Sequence, residues 1–355
     1  MMPGMATRAF RIVAVGAFSL RESALFGFGQ RAGAASWDGV MRLAFCLDGG
    51  FETQVGVELT QEANVVTGVV HGCTSADSAG DLDLIRRHVA RVLSLDHDAR
   101  GFAAVGDRDP VIGALQHVAR GLRPPLFYSP YEAAVWSVLS ARRPAAQMAQ
   151  VRAALSEAHG AVFELAGEHL AALPTPTQLL AVDEFAWIDP TRLGRMHAIA
   201  RAAADGRLEA DRLLRLGPEA AMADLQQLKG IGPFYAALIV IRGTGFTDVL
   251  PTDEPKSLGM VQRLYGLAAV PTQAEFERIA ANWRPWRTWA TVLIRAAGSR
   301  LDGTAGSRLD GTAGSRPDGT AGSRPELDQL RSRTAASPIA VSSRSTRLAA
   351  SPIGT

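Results

Sequence analysis

Two helix-like stretches of this chain are separated only by Leu228-Lys229-Gly230-Ile231-Gly232-Pro233, an order that little besides a tight helical hairpin accommodates. The first stretch, 218–228, runs straight into the Gly-x-Gly turn. Pro233 then stands where a second helix begins, a position at which a missing N–H costs nothing. Glycine tolerates positive φ and puts no side chain between the turn and a close neighbour. Ile231, between the two glycines, can turn inward and anchor the hairpin. Backbone N–H groups at the start of the second helix have no intrahelical acceptor, and the positive end of the helix dipole lies behind them. Such a turn can hold a phosphate without a basic side chain. Gly-x-Gly also joins helices that bind nothing, so the turn gains meaning only from the residues downstream of it.

Downstream lies a Gly/Pro-rich loop that ends in an acid. The second helix is expected to end near Gly243, and Gly245-Phe246-Thr247-Asp248-Val249-Leu250-Pro251-Thr252-Asp253 leads into a further helix over 254–265. Asp253 lies 21 residues after Gly232 and is expected to open that helix. A plain N-cap is the ordinary role of such an Asp. Asp248, in the same loop, is the rival acid.

Around this motif the chain divides into three. Over 8–96 it reads as strands plus one helix. Met41, Leu43, Phe45 and Leu47 alternate, as do Val55, Val57 and Leu59, with Asp48-Gly49-Gly50 as the turn between them. Residues 65–70 supply another strand, and Leu82, Ile85, His88, Val89 and Val92 give 81–95 helical spacing. Over 107–297 the pattern is helical throughout, with helices expected near 144–158, 176–182, 191–204 and 218–228. Ser129-Pro130-Tyr131-Glu132 has the form of a capping box. From Gly298 the unit Gly-Ser-Arg-(Leu/Pro)-Asp-Gly-Thr-Ala repeats with period eight, and Ala-Ala-Ser-Pro-Ile occurs twice beyond it. Such a composition buries too little apolar surface to offset chain entropy, so 298–355 is read as a disordered low-complexity tail. The expected fold class is α+β: a small N-terminal sheet-plus-helix domain, an all-α helix-hairpin-helix core, and the tail.

Charge alone does not point to nucleic acid. The chain is Arg-rich, with Lys only at 229 and 256, and its formal net charge is +2. The tail holds eight Arg against five acids, which leaves residues 1–297 at −1. A case for nucleic acid therefore rests on local patches and the hairpin. Cys46 and Cys73 are far apart and in no ligand spacing, which argues against a disulfide framework, a zinc site and a four-Cys cluster. No apolar run reaches the roughly 20 residues that cross a bilayer. The N-terminus lacks the layout of a signal peptide, so a soluble, cytoplasmic protein is expected.

Taken together, these segments resemble the helix-hairpin-helix, Gly/Pro-rich loop, Asp superfamily of DNA glycosylases, and within it the bacterial 3-methyladenine DNA glycosylase II family. Leu-Lys-Gly-Ile-Gly-Pro is similar to that family's hairpin, and Asp248-Val249-Leu250-Pro251-Thr252-Asp253 to its loop with the catalytic Asp. Asn282-Trp283-Arg284-Pro285-Trp286-Arg287-Thr288-Trp289-Ala290 resembles its Trp-x-Pro-Trp-Arg segment. Gly121-Leu122-Arg123-Pro124-Pro125 and Leu173-Pro174-Thr175-Pro176 look like further family stretches. The likeness is good over 107–297; the N-terminal part fits the family's first domain only in outline.

The resemblance implies a hydrolase that flips a damaged base out of double-stranded DNA and cuts its N-glycosidic bond. Asp253 would be the catalytic carboxylate, opposing the positive charge that builds on C1′ of the sugar. Gly230, Ile231 and Gly232 would hold a DNA phosphate. Phe234, Tyr235, Tyr131 and Trp136 are candidates for stacking on the base, although each residue type is more often core. Lys256, Arg284 and Arg287 are candidates for DNA contacts, with a solvated surface as the alternative. Trp283, Trp286 and Trp289 read mainly as a core stripe. Strand-nicking relatives carry a Lys two residues after the second hairpin Gly; Phe234 stands there, which implies a single-function enzyme. Two other departures bear on the site. Ala141-Arg142-Arg143 replaces the segment that normally probes the duplex, and Arg295 replaces an aromatic late in the last helix. No cofactor is implied, though a bridging metal ion at the hairpin is allowed. The protein is expected to act as a monomer. Two other readings stand beside this one: a helix-hairpin-helix DNA-binding protein without catalysis, and a glycosylase for another lesion.

Overall fold

A computed structural model of the chain describes residues 8–26, 37–74, 78–251 and 254–301. Asp253 and the span 302–355 of the expected tail lie outside the described residues.

The N-terminal part is a sheet with two helices, one more than the sequence pattern indicates. β1 (Arg8–Val13) and α1 (Leu20–Phe26) precede β2 (Met41–Cys46), β3 (Gln54–Glu62) and β4 (Val65–Cys73), and the strands pair antiparallel in the order β1-β4-β3-β2. Alternation sorts the side chains to two faces. Leu43 and Phe45 of β2 and Val55, Val57 and Leu59 of β3 are fully buried, packed with Ile85, Val89 and Val92 of α2 (Ser78–Val92). The expected turn lies between β2 and β3, where Gly49 and Gly50 take φ of +94° and +98°. Both glycine amides donate to the Glu209 carboxylate, at 3.3 and 2.7 Å, which ties this turn to the helical part.

The helices then come in chain order. They are α3 (Arg100–Arg108), α4 (Pro110–Val118), α5 (Pro130–Ser140), α6 (Ala145–His159), α7 (Pro176–Leu180), α8 (Pro190–Ala204) and α9 (Ala210–Leu216). After these come α10 (Pro218–Leu225), α11 (Pro233–Ile239), α12 (Pro255–Leu264), α13 (Gln273–Ala280) and α14 (Arg287–Leu301). Proline opens α4, α5, α7, α8, α10, α11 and α12, and Asp109, Ser129, Thr175, Asp189 and Glu254 accept first-turn amides as N-caps. The capping box expected at Ser129 is only half formed. Ser129 Oγ accepts from Glu132 N at 3.1 Å, but the Glu132 carboxylate faces inward and takes Arg152 Nη2 at 2.6 Å instead. Glu132 is fully buried, where its charge needs a counter-charge, and it also accepts the Cys46 amide at 3.4 Å.

The helical part has two cores. One is built from α5 to α11, around Val135, Leu139, Met148, Met196, Leu225 and Ile239. The other combines α3 and α4 with α12, α13 and α14, around Phe102, Leu115, Phe276, Trp283, Trp289 and Leu293. The chain enters the second core first, leaves it for the first, and returns through the loop after α11. The helical part thus begins before the expected residue 107, since Ala99 and Phe102 already belong to its core. It also runs past 297: α14 takes in the first residues of the repeat, and Arg300 Nη1 donates to Glu22 Oε2 at 2.6 Å.

One departure from an all-α core has a clear cause. β5 (Val162–Leu165) and β6 (Glu168–Ala171) form a hairpin, a pairing only four residues long and too short to stand out as alternation in the sequence. It docks on the N-terminal sheet. Ala44, Gly56 and Gly72 pair side by side across three strands and leave that face flat. The Phe163 ring lies on them so closely that a Cβ on Gly56 would stand 2.5 Å from its Cγ. Two buried arginines complete the join. Arg123 donates to the carbonyls of Val15, Ala17, Ser94 and His97. Arg91 reaches Asp48 and the carbonyls of Tyr128 and Gly243.

Candidate functional site

The hairpin between α10 and α11 forms as the sequence requires, with one difference. Ile231 is 4 % exposed and sits in the first core, an anchor whose burial stabilises the turn by about 1.5–3 kcal/mol. Gly230 takes φ +101°, but Gly232 does not share the expected positive φ: it is the N-cap of α11, extended at φ −91° and ψ −179°. A Cβ on Gly232 meets nothing within 4 Å, so this glycine is needed for open access to its backbone and not for its conformation. Among the described residues, no backbone carbonyl takes the amides of Gly230 and Gly232. α11 passes directly into a π-helical turn, 240–244, which Gly245 ends at φ +105°.

Next to the hairpin lies the end of α5. Gly230 packs near Val138, and Tyr235 is half-buried, its phenol pushed above the ordinary range by burial. Arg192 of α8 caps α5 by donating to the carbonyls of Val138, Leu139 and Ala141, at 2.9 Å for Val138 and 3.3 Å for Ala141. That cap holds the loop of Ala141-Arg142-Arg143, in which Arg142 is exposed and takes φ +56°. Phe234, 41 % exposed, stands edge-on to Tyr235 at 5.3 Å. The hairpin glycine Gly230, the rings of Phe234 and Tyr235, and Arg195 are therefore neighbours, with Arg192 holding the end of α5. Nothing in the sequence pattern singled out Arg192 and Arg195, because their partners lie some 35 to 54 residues away in the chain.

The loop after the π-helical turn is stitched to α14. Asp248 accepts from Arg287 Nε at 2.7 Å and from Arg284 Nη1 at 3.1 Å. Thr288 donates its amide to Thr247 O and takes the Val249 amide on its hydroxyl, both at 2.9 Å. Asp248, the rival acid, is thus committed to two guanidiniums. Of the DNA-contact candidates, Arg287 is turned to the protein and Arg284 shares its acid while remaining 59 % exposed; Lys256 lies on the surface of α12. The N-cap of α12 is Glu254, one residue later than expected, whose carboxylate accepts from Ser257 N at 2.7 Å. Arg295 Nη1 also donates to both Glu254 oxygens at 2.7 Å. Burial opposes ionisation of Glu254, but Arg295 and the Ser257 contacts outweigh it and hold the carboxyl below its ordinary range. Arg242, in the π-helical turn, is near enough for its charge to be felt by Arg295. Burial first, and that like charge second, bring its guanidinium down to about 10.

Two of the base-stacking candidates lie elsewhere. Tyr131 has no exposed surface, packs against Phe51 at 5.5 Å and donates its hydroxyl to Pro174 O at 2.9 Å. Trp136 is 6 % exposed within the first core. Both point into the packed side of α5, so neither offers a face to a ligand, and Phe234 and Tyr235 remain. The Trp stripe is core as expected, although Trp283 belongs to a 3₁₀ turn before α14 and donates its indole N–H to Asp109. Among the described residues no three His, Cys, Asp or Glu side chains converge as a metal site, and no helix is long and apolar enough to cross a membrane.

No family model matches the chain. It is 25 % identical over 215 residues to the DNA-3-methyladenine glycosylase of Bacillus subtilis, covering 58 % of this chain and 70 % of that one. It is 29 % identical over 187 residues to DNA-3-methyladenine glycosylase 2 of Escherichia coli, covering 52 % of this chain and 63 % of that relative, less than two thirds of its length. Among solved structures, the 3-methyladenine DNA-glycosylase from Archaeoglobus fulgidus superposes with a TM-score of 0.62 at 21 % identity, over 80 % of this chain and 96 % of that one. MBOgg1 in complex with a low-affinity DNA ligand gives 0.60 at 17 % identity, over 84 % and 99 %. At such identities the superpositions speak to fold alone. The hairpin and the stitched loop thus lie in a chain whose sequence is similar to bacterial DNA-3-methyladenine glycosylases and whose fold is shared with the Archaeoglobus fulgidus 3-methyladenine DNA-glycosylase.

Proposed function

We propose that this chain is a single-function DNA glycosylase that hydrolyses the N-glycosidic bond of alkylated purines of the 3-methyladenine type, acting as a monomer on double-stranded DNA. The observation that carries the proposal is the division of labour among the acids of one loop. Asp248 is neutralised by Arg284 and Arg287, and Glu254 caps α12 and pairs with Arg295. Both structural tasks are filled, so the capping role ordinarily expected of Asp253 is already taken by its neighbour.

The chemistry follows from charge. As the bond to the base breaks, C1′ becomes cationic, and a fixed carboxylate stabilises that state and orients the attacking water. The hairpin amides would take a phosphate of the duplex, and Arg195, whose Cδ lies 3.0 Å from a Cβ built on Gly230, would add charge beside it. Phe234 and Tyr235 offer aromatic faces to an extruded base, and a base made cationic by alkylation gains from such a face. Phe234 also leaves no amine where a strand-nicking enzyme needs one.

Release of 3-methyladenine and 7-methylguanine from methylated duplex DNA, measured for the wild type and Asp253→Asn, tests the proposal. Release by the wild type and none by the variant is expected. Duplex binding without release by either would leave a DNA-binding module in its place.

A further inference from the structure

The turn between α7 and α8 carries a residue that its backbone does not suit. Phe185 and Ile188 face each other as an isolated antiparallel bridge, and Ile188 N donates to Phe185 O at 3.1 Å, which closes a four-residue turn. Trp187 fills its third position at φ +70°, where glycine or asparagine is the usual occupant. A bulky ring at such a φ strains the backbone. Burial does not offset that strain, because Trp187 is 47 % exposed, more than any other aromatic side chain among the described residues. Both ends of the turn are fixed. Phe185 packs on the first core and meets the His159 ring edge-on at 5.7 Å, and Ile188 is buried in the same core. An exposed indole thus stands on a firm support.

Contacts through α8 relate this turn to the hairpin. Asp189, two residues after Trp187, caps α8 and pairs with Arg192 at 3.4 Å. Arg192 in turn holds the end of α5, just before the exposed Arg142 and Arg143. Arg195, one turn further along the same side of α8, lies beside Gly230. From Asp189 to Arg195 the helix rises about 9 Å, the length of two to three base steps of a duplex strand. The exposed acids Asp183 and Glu184 precede the turn, so what it offers to DNA is an apolar ring and not a charge for phosphate.

We propose that Trp187 enters the base stack of the duplex at the gap left by the extruded nucleotide and lies against a base that borders it. The inference rests on the reading of this chain as an enzyme that flips a damaged base out of DNA. Extrusion breaks stacking contacts, and a flat apolar ring in the vacated place recovers part of that loss. A ring already fixed on its turn does so with little ordering on binding.

Duplexes holding a tetrahydrofuran abasic-site analogue, with 2-aminopurine placed in turn at each base bordering the gap, read this contact directly. The wild type is expected to bind the abasic duplex more tightly than an intact one and to quench the 2-aminopurine on which the ring stacks. Trp187→Asn suits the left-handed turn but removes the ring. Its melting temperature should stay within a few degrees of the wild type. Affinity for the abasic duplex should fall about 5- to 150-fold, the range carried by one base–aromatic stack, and the quenching should disappear. Affinity for the intact duplex should stay within about twofold, because the hairpin contacts are untouched. Trp187→Phe should keep part of both effects. A Trp187→Asn protein that binds the abasic duplex as tightly as wild type overturns the inference. An equal loss on both duplexes overturns it too, since the ring would then touch the backbone and not the stack. Neither readout needs base release. Should the wild type release no base at all, the glycosylase reading fails, and binding and quenching alone support or overturn the role of Trp187.

Discussion

Arg195 of α8 lies beside Gly230 of the hairpin: at the φ of +101° that Gly230 adopts, an added Cβ would stand 3.0 Å from Arg195 Cδ. Its neighbour Gly232 has an ordinary φ and open space around it. The two glycines are therefore expected to respond differently to alanine. Gly230→Ala should lower stability by about 1–2 kcal/mol, the cost of a left-handed conformation for a residue with a Cβ. Gly232→Ala should leave urea denaturation unchanged but weaken binding to duplexes of every sequence by a similar factor, since a phosphate contact carries no sequence information. A folded Gly232→Ala protein with wild-type affinity would make the hairpin structural only.

Asp253→Asn should lower single-turnover base release by about 10²-fold or more while duplex affinity stays within a few fold, because the change removes charge but not size. Asp248→Asn is the contrasting variant. Its carboxylate ties Arg284 and Arg287 to the loop, so a lower melting temperature is expected from it. Unimpaired release by Asp253→Asn would end the assignment of that residue.

Borohydride should trap no covalent complex between this protein and an alkylated or abasic duplex. Trapping needs a Schiff base from an amine at C1′, and Phe234 cannot supply one. Lys256, on α12 three residues beyond Asp253, is the amine to test. An adduct that disappears in Lys256→Ala would overturn the single-function reading; alkali-dependent strand breaks without an adduct would support it.

Arg152→Met should destabilise the fold by about 3–5 kcal/mol, because Glu132 is fully buried and would be left without its counter-charge. Adding Glu132→Leu should restore much of that loss, since an apolar pair leaves no charge to desolvate. Denaturant titration of the single and double variants reads both effects.

Ending the chain at Leu301 should leave the melting temperature unchanged, given the repeat composition beyond it. Ending it at Ala297 should lower it by several degrees. The shorter chain loses the last turn of α14 and the Arg300 to Glu22 ion pair. Equal melting temperatures for the two truncations would show that this turn contributes nothing.

Local physics made much of this protein legible from its residues. Alternation at Met41 to Leu47 and at Val55 to Leu59 fixed two paired strands, because a side-chain period of two can bury only one face. Pro and Gly at 230–233 fixed the hairpin, since backbone restrictions act on the residue that carries them. The spacing from Gly232 to Asp253 and the Trp-Arg-Pro-Trp-Arg segment pointed to the family for a similar reason: both are short and contiguous. Tertiary structure decided the features that depend on partners far along the chain. Glu132 chose Arg152 over its own N-cap because both are buried together. The β5–β6 hairpin owes its existence to a flat row of Ala44, Gly56 and Gly72, over a hundred residues earlier in part. Tyr131 and Trp136 lie on a helix whose whole surface is enclosed, so no periodicity could assign them to pocket or core. Arg295 found Glu254 41 residues away. An ion pair of that kind is set by where two helices are packed, and packing is a property of the folded chain as a whole.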